Sequence, residues 1–144
     1  MRMKIGRCDV SDAKAVAEIE QKYIECPWSE AEIAKCIGSD DYVYFKATES
    51  GETIGYIGVM PVPPEYNICN VAVMDSARRK GVATALMAAV EELAAKSGGG
   101  TVYLEVNETN AAAIALYRKR GYEICGKRPR YYGEDAAINM KKEI

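Results

Sequence analysis

Apolar positions along the 144-residue chain change period several times, and each change marks an element. Met3 to Arg7 has strand character, and Asp9-Val10-Ser11-Asp12 supplies oxygen side chains suited to cap a helix. Val16, Ile19 and Tyr23 recur at three- and four-residue spacing, predicting an amphipathic helix that ends near Cys26-Pro27, where proline removes a backbone donor. Ser29-Glu30-Ala31-Glu32 reads as a capping box and opens a short second helix that stops at Gly38. Tyr42 to Thr48 and Thr53 to Met60 flank the turn Glu49-Ser50-Gly51-Glu52, so an antiparallel hairpin is expected. Pro61-Val62-Pro63-Pro64 breaks the pattern, and Tyr66 to Val73 is the next strand.

Ala83, Leu86, Met87, Val90, Leu93 and Ala94 mark one face of a helix over Thr84 to Lys96, stopped by Gly98-Gly99-Gly100. Thr101 to Asn107 returns as a strand. A strand, a helix and a strand in succession predict parallel strands with a right-handed crossover. Asn110 opens the last helix, and Gly121 ends it after Arg118-Lys119-Arg120. Tyr122 to Lys127 and Ala136 to Lys142 finish the sheet, with Arg128 to Glu134 expected as a mobile loop. This order predicts a single α/β domain over residues 1–144, a mixed sheet with helices on both faces.

Composition narrows the function. The hydrophobic share of 49% and charged share of 28% suit a soluble globular chain, and a formal net charge of −2 argues against general nucleic-acid binding. No apolar run approaches the ~20 residues of a membrane span, and Met1-Arg2-Met3-Lys4 leads into Ile5-Gly6-Arg7 without a signal-peptide core. The expectation is a cytoplasmic protein that contacts neither membrane nor nucleic acid. Cys8, Cys26, Cys36, Cys69 and Cys125 are scattered without a C-x-x-C pair, which reads as reduced thiols and no metal site. Histidine is absent, so Ser-His-Asp systems, Cys-His systems and His-based zinc sites are excluded. Acid–base chemistry must come from carboxylates, tyrosines, lysines, thiols or water.

Three stretches carry candidate chemistry. Arg78-Arg79-Lys80-Gly81-Val82-Ala83 lies between a strand and a helix, where unpaired backbone N–H groups and the helix dipole converge. Gly81 removes a Cβ that would hold an anion away, so the turn from Arg79 to Thr84 reads as a phosphate cradle. Glu105 stands on a strand expected to be central and covered on both faces, where an ionisable group is more easily explained by a cleft than by solvent. Tyr117 lies seven residues beyond Asn110 and so shares its helix face.

Arg78, Gly81 and Ala83, followed by Leu104-Glu105-Val106 and then Asn110 to Tyr117, resemble the GCN5-related N-acetyltransferase (GNAT) superfamily. Its acetyl-CoA signature is Arg or Gln, two residues, Gly, one residue, then Gly or Ala. The resemblance extends over most of the chain. It is nearest to the RimI group of ribosomal-protein N-terminal alanine acetyltransferases, on Cys26-Pro27-Trp28-Ser29, on Glu105-Val106 with Asn110 to Tyr117, and on Tyr131-Tyr132 shortly before Glu134-Asp135-Ala136. It implies the GNAT fold, a mostly antiparallel sheet whose two central parallel strands splay, with backbone groups of Val71, Ala72 and Val73 freed for the pantetheine arm.

The resemblance further implies acetyl-CoA as co-substrate, no metal, and direct attack by the amine. Glu105 is then the general base, Tyr117 the general acid, and Asn110 a cofactor contact as well as a helix cap. Arg78, Arg79, Lys80, Gly81, Val82, Ala83 and Thr84 hold the pyrophosphate, and Trp28 and Tyr131 meet the acceptor. That acceptor is the N-terminal peptide of a small-subunit ribosomal protein, and the protein works as a monomer or weak dimer. Asp40, Asp41, Glu65, Glu134 and Asp135 read either as an acidic mouth favouring a basic peptide or as a scattered set of surface acids. A small-amine acetyltransferase acting on a polyamine or antibiotic, or a non-catalytic acyl-CoA-binding subunit, accounts for the same cofactor residues. Two positions depart from the family pattern: Ala83 stands where Gly is frequent, and the loop Arg130 to Asp135 is short.

Overall fold

The capping signals act where the sequence places them. Asp9 caps a 3-10 turn over Val10–Asp12 that runs into helix α1, Ala13–Tyr23. In the capping box before helix α2, Glu30–Ile37, the Ser29 hydroxyl accepts from the Glu32 N–H at 3.2 Å while the Glu32 carboxylate accepts from the Ser29 N–H at 3.1 Å. Strands β1, Met3–Arg7, and β2, Val43–Glu49, lead to a two-residue turn in which Ser50 (φ 52°) and Gly51 (φ 80°) both take the left-handed conformation that matches strand twist. Strand β3, Glu52–Val62, follows. It runs on through Pro61 and Val62, so the chain reverses at Pro63-Pro64 rather than at the start of the proline segment.

The computed structural model describes residues 3–24 and 26–144; Met1 and Arg2, read above as lacking a signal-peptide core, lie outside it. The remaining elements are β4 (Glu65–Val73), a 3-10 turn (Asp75–Ala77), α3 (Val82–Lys96), β5 (Thr101–Asn107), α4 (Ala111–Lys119), β6 (Glu123–Tyr132) and β7 (Asp135–Glu143). Among the described residues these form one sheet in the order β1-β2-β3-β4-β5-β7-β6, antiparallel throughout except for β4 with β5. No helix there is long and apolar enough to cross a membrane. The expected loop Arg128 to Glu134 is instead the end of a hairpin: β6 continues to Tyr132, Gly133 and Glu134 turn, and β7 starts at Asp135. Pairing with β7 holds the stretch at Lys127, Arg128 and Tyr132, with an irregularity at Pro129 to Tyr131 where Arg130 takes a positive φ of 57°; Lys127 to Tyr131 is exposed along its length, so no alternation of apolar residues marks it as strand.

Two apolar layers enclose the sheet. Helices α1 and α2 pack over Tyr44, Tyr56 and Ala72 on one face. Helices α3 and α4 pack over Ile57, Val59, Tyr66, Val102, Leu104 and Val106 on the other. Gly58 makes room for the first layer, because a Cβ there would stand 2.8 Å from the Tyr44 ring, which stacks on Tyr56 with centroids 6.2 Å apart. A bulge in β4 leaves Cys69 without a register partner, Val59 opposing Ile68 and Gly58 opposing Asn70. It changes which side chains face which layer: Tyr66 and Ile68 contact the α3 side before it, Val71 and Val73 after it.

The junction of the two halves of the sheet is tight. The Thr101 N–H donates to the Pro64 carbonyl at 2.9 Å, and Gly100 (φ 151°) passes so close that a Cβ would lie 2.1 Å from the same oxygen. Replacing Gly100 by Ala is expected to destabilise the fold by about 3 kcal/mol, from overpacking plus a backbone angle that side chains disfavour. Equal urea midpoints for the variant and the wild type would show that the junction is looser than this.

Candidate active site

Strands β4 and β5 pair through only three residues each, Glu65 with Thr101, Tyr66 with Val102 and Asn67 with Tyr103. Beyond this point β4 stays with β3 as far as Val73 and β5 stays with β7 as far as Asn107. The edges that face each other therefore carry backbone groups with no strand partner, and such groups demand water or a ligand. A cleft of about 650 Å³ opens there, walled by Ile68 to Val71 of β4 and Leu104 to Asn107 of β5. Of the three expected backbone contacts, Val71 lines the cleft, while Ala72 is buried beneath α1 and Val73 packs on the α3 side.

Glu105 lies in the cleft wall on the face of β5 opposite Leu104 and Val106. That face is not covered by a helix as the sequence suggested: the layer under α1 and α2 reaches only as far as Ala72 of β4. Its side chain is consequently 32% exposed, and its one ion pair is a long one, 3.7 Å from the Arg128 guanidinium of β6. Such a pair contributes little and leaves the carboxylate open to another cation.

Tyr117 has the opposite environment. Asn110, Ala113 and Tyr117 place one face of α4 on the cleft, and the tyrosine is only 7% exposed, edge-on to Tyr122 at 6.2 Å. Burial, with a smaller contribution from Tyr132, pushes its phenol up to about 12. Asn110 caps α4 by accepting from the Ala113 N–H at 3.1 Å through Oδ1, which leaves its amide nitrogen to donate.

The basic turn leaves the start of α3 uncovered by side chains. Gly81 caps α3 in the left-handed conformation (φ 78°), no side chain caps the helix end, and a Cβ on Gly81 would meet nothing within 4 Å. Arg79 (φ 65°) and Lys80 are exposed, Val82 is buried beneath them, and Ala83 and Thr84 form the first turn. Arg78 folds away from this turn: its Nε lies 3.2 Å from Asp75, and its guanidinium lies 5.3 Å from the Tyr23 ring centre. These residues lie outside the lining of the cleft, past the C-terminal end of β4.

The two rims differ from expectation. Tyr131 and Tyr132 line the cleft from the β6–β7 side, with ring centres 5.0 Å apart. Across from them stand Tyr23, Ile24 and Cys26, whereas Trp28 turns back against Tyr42 at 6.5 Å and lies outside the lining. None of Asp40, Asp41, Glu65, Glu134 or Asp135 lines it, so the acidic mouth is not assembled; Asp135 accepts from Asn107 at 3.3 Å. Sequence reasoning also passed over Glu20, fully buried under the rim, although its place four residues after Val16 puts it on the apolar stripe of α1.

The raised phenol has a measurable consequence. Above pH 10 an unfolded tyrosine loses its proton while Tyr117 keeps it to about 12, so the native state binds more protons and stability falls as pH rises through this window. Between pH 9 and pH 11 the wild type should lose about 1.4 kcal/mol more than a Tyr117→Phe variant in urea unfolding. Parallel losses in the two proteins would mean that the phenol is not desolvated.

Comparison with known proteins agrees with this geometry. The model of the acetyltransferase (GNAT) family matches residues 11–122. The [ribosomal protein bS18]-alanine N-acetyltransferase of Escherichia coli is 34% identical over 97% of both chains. The crystal structure of the ribosomal-protein-S18-alanine N-acetyltransferase from Escherichia coli superposes with a TM-score of 0.91 at 31% identity, covering 99% of this chain and 94% of that one. A longer uncharacterised protein of Mycobacterium leprae is 34% identical, and the chain spans 40% of its length. With the family model covering most of the chain and the splayed strands, glycine-capped helix and shared cleft in place, the protein belongs to the GNAT acetyltransferase family.

Proposed function

We propose that the protein transfers an acetyl group from acetyl-CoA to the α-amino group of an N-terminal alanine, with a small-subunit ribosomal protein as acceptor. The observation that carries this reading is the pairing, in one cleft, of an open carboxylate, Glu105, with a buried phenol, Tyr117. Relatives named for alanine acetylation, matching along almost the whole chain, support the choice of acceptor. Such an acceptor places the protein in the cytoplasm.

The residues present fit acetyl-CoA. The α3 N-terminus, free of a side-chain cap and of a Cβ at Gly81, suits a pyrophosphate, and the unpaired edge of β4 suits a chain of amides. Arg79 and Lys80 add charge, and Asn110 has an amide donor to spare. The thioester supplies the activated acyl group. An N-terminal amine has a pKa of about 8, so part of it is neutral at cellular pH and Glu105 has only a modest barrier to overcome in taking the last proton, directly or through water. Tyr117 holds its proton at every working pH and stands ready for the departing sulfur. Donation from a phenol near 12 to an aqueous thiolate of pKa about 8.5 is uphill; a thiolate formed beside Tyr117 shares its desolvation, which narrows the gap.

Acetyl transfer to two short basic peptides tests the reading, one with a free N-terminal alanine and one with that amine blocked and a lysine present. Acetylation of the free alanine alone is expected, and Glu105→Gln and Tyr117→Phe should each lower kcat about 10²-fold or more while acetyl-CoA still binds. Full turnover by both variants would reassign the catalytic roles. Turnover on neither peptide with acetyl-CoA bound would point to a small-amine acceptor or a binding role.

A further inference from the structure

Glu20 is a fully buried carboxylate in the middle of an otherwise apolar layer, and the chemistry above makes no use of it. Its two oxygens do different work. Oε1 accepts from the Tyr56 hydroxyl at 2.8 Å and from the Asn70 amide at 3.1 Å, while Oε2 accepts from the backbone N–H of Trp28 at 2.6 Å. Burial, and then the charge and hydrogen bond of Glu20, drive the Tyr56 phenol far above its ordinary value, as a neighbouring carboxylate does. Removing an ionised group from water costs several kcal/mol, and an apolar side chain of similar size commonly serves stability as well or better. What an apolar residue cannot do is hold a backbone N–H at a fixed place.

That N–H belongs to the segment that forms one rim of the cleft. Tyr23, Ile24 and Cys26 line the opening, and the chain is then secured at Trp28, whose carbonyl also accepts from Gln21 at 3.4 Å. Asn70, the other end of the network, is itself in the cleft wall, directly after the bulged Cys69. One carboxylate therefore ties the rim and the β4 wall together. Both lie on the sheet face that carries α1 and α2, the face from which Glu105 is open; Leu104, Val106, α3 and α4 close the opposite face. An amine that reaches Glu105 from this face passes between this rim and Tyr131 and Tyr132.

We infer that Glu20 is a positioning residue for the acceptor, acting through the Trp28 backbone to fix the rim residues Tyr23, Ile24 and Cys26. This rests on the acetyl-transfer reading given above. The residue touches neither the cleft nor the reacting atoms, so its loss should change how the peptide is held and leave the transfer step alone.

Glu20→Gln isolates the contact. A glutamine keeps one carbonyl oxygen for Tyr56 and Asn70, but its NH2 faces the Trp28 N–H donor to donor. In the purified full-length chain, KM for the free-alanine peptide should rise about tenfold with kcat within about twofold of wild type and the Kd for acetyl-CoA unchanged. Hydrogen exchange at the Trp28 amide should accelerate. Tyr56→Phe, which removes a donor to Oε1 alone, should lower stability without the rise in KM. Gln21→Ala, an exposed change that releases only the Trp28 carbonyl, should raise KM in the same direction and decides the matter if Glu20→Gln does not fold. An unchanged KM in a folded Glu20→Gln, or in Gln21→Ala where it alone folds, overturns the inference while the wild type still acetylates the peptide. A wild type inactive on that peptide overturns the functional reading first.

Discussion

The three-residue pairing between β4 and β5 is the constraint from which the rest follows. A sheet is ordinarily closed by hydrogen bonds along its whole length, and here the middle bond lines stop after Asn67 and Tyr103. Each half remains satisfied on its outer side, β4 by β3 and β5 by β7, so the separation does not unravel the sheet. What it leaves is a wedge of polar backbone with apolar layers behind it. Gly100 is needed at the closed end because the two strands meet there nearly backbone to backbone.

The electrostatics of the wedge follow from which faces the helices cover. Helix α4 buries Tyr117 and keeps it neutral, while the absence of a helix above Glu105 keeps that carboxylate in contact with water and with Arg128. Burial, with a smaller contribution from Tyr132, raises the phenol and keeps it a proton donor. Glu20 is the third case: a carboxyl group buried more completely than Tyr117, with three donors converging on it.

Much of this was legible in the chain because the determining chemistry is local. Ser29 with Glu32, Ser50-Gly51, Gly81 and Asn110 each fix a backbone path through a few neighbouring atoms, and the helix faces of α1, α3 and α4 repeat at the expected interval. The missing parts depend on distant partners. The bulge at Cys69 is a mismatch in residue count against β3, invisible within β4 itself. Arg128 to Tyr132 reads as loop because only its ends, Arg128 and Tyr132, are held by β7, and burial marks none of it. Trp28 reads as a ligand-facing aromatic, but the Glu20 bond to its backbone and the Tyr42 edge turn the ring inward. Glu105 was placed correctly on its face, and only the extent of α1 and α2 decides that this face is open.

The outermost ribbon of the sheet has a further meaning. β6 is an edge strand exposed along most of its length, held by main-chain bonds to β7, yet it carries Tyr131 to the cleft and Arg128 to within 3.7 Å of Glu105. Side chains on such a ribbon answer to few packing neighbours, whereas Gly100 and the buried face of α3 answer to many. Sequence drift is therefore cheap along the outer face of this ribbon and costly at the strand junction and under α3. A chain built on this plan can change what one wall of its cleft presents many times over while the sheet that holds the cleft open stays the same.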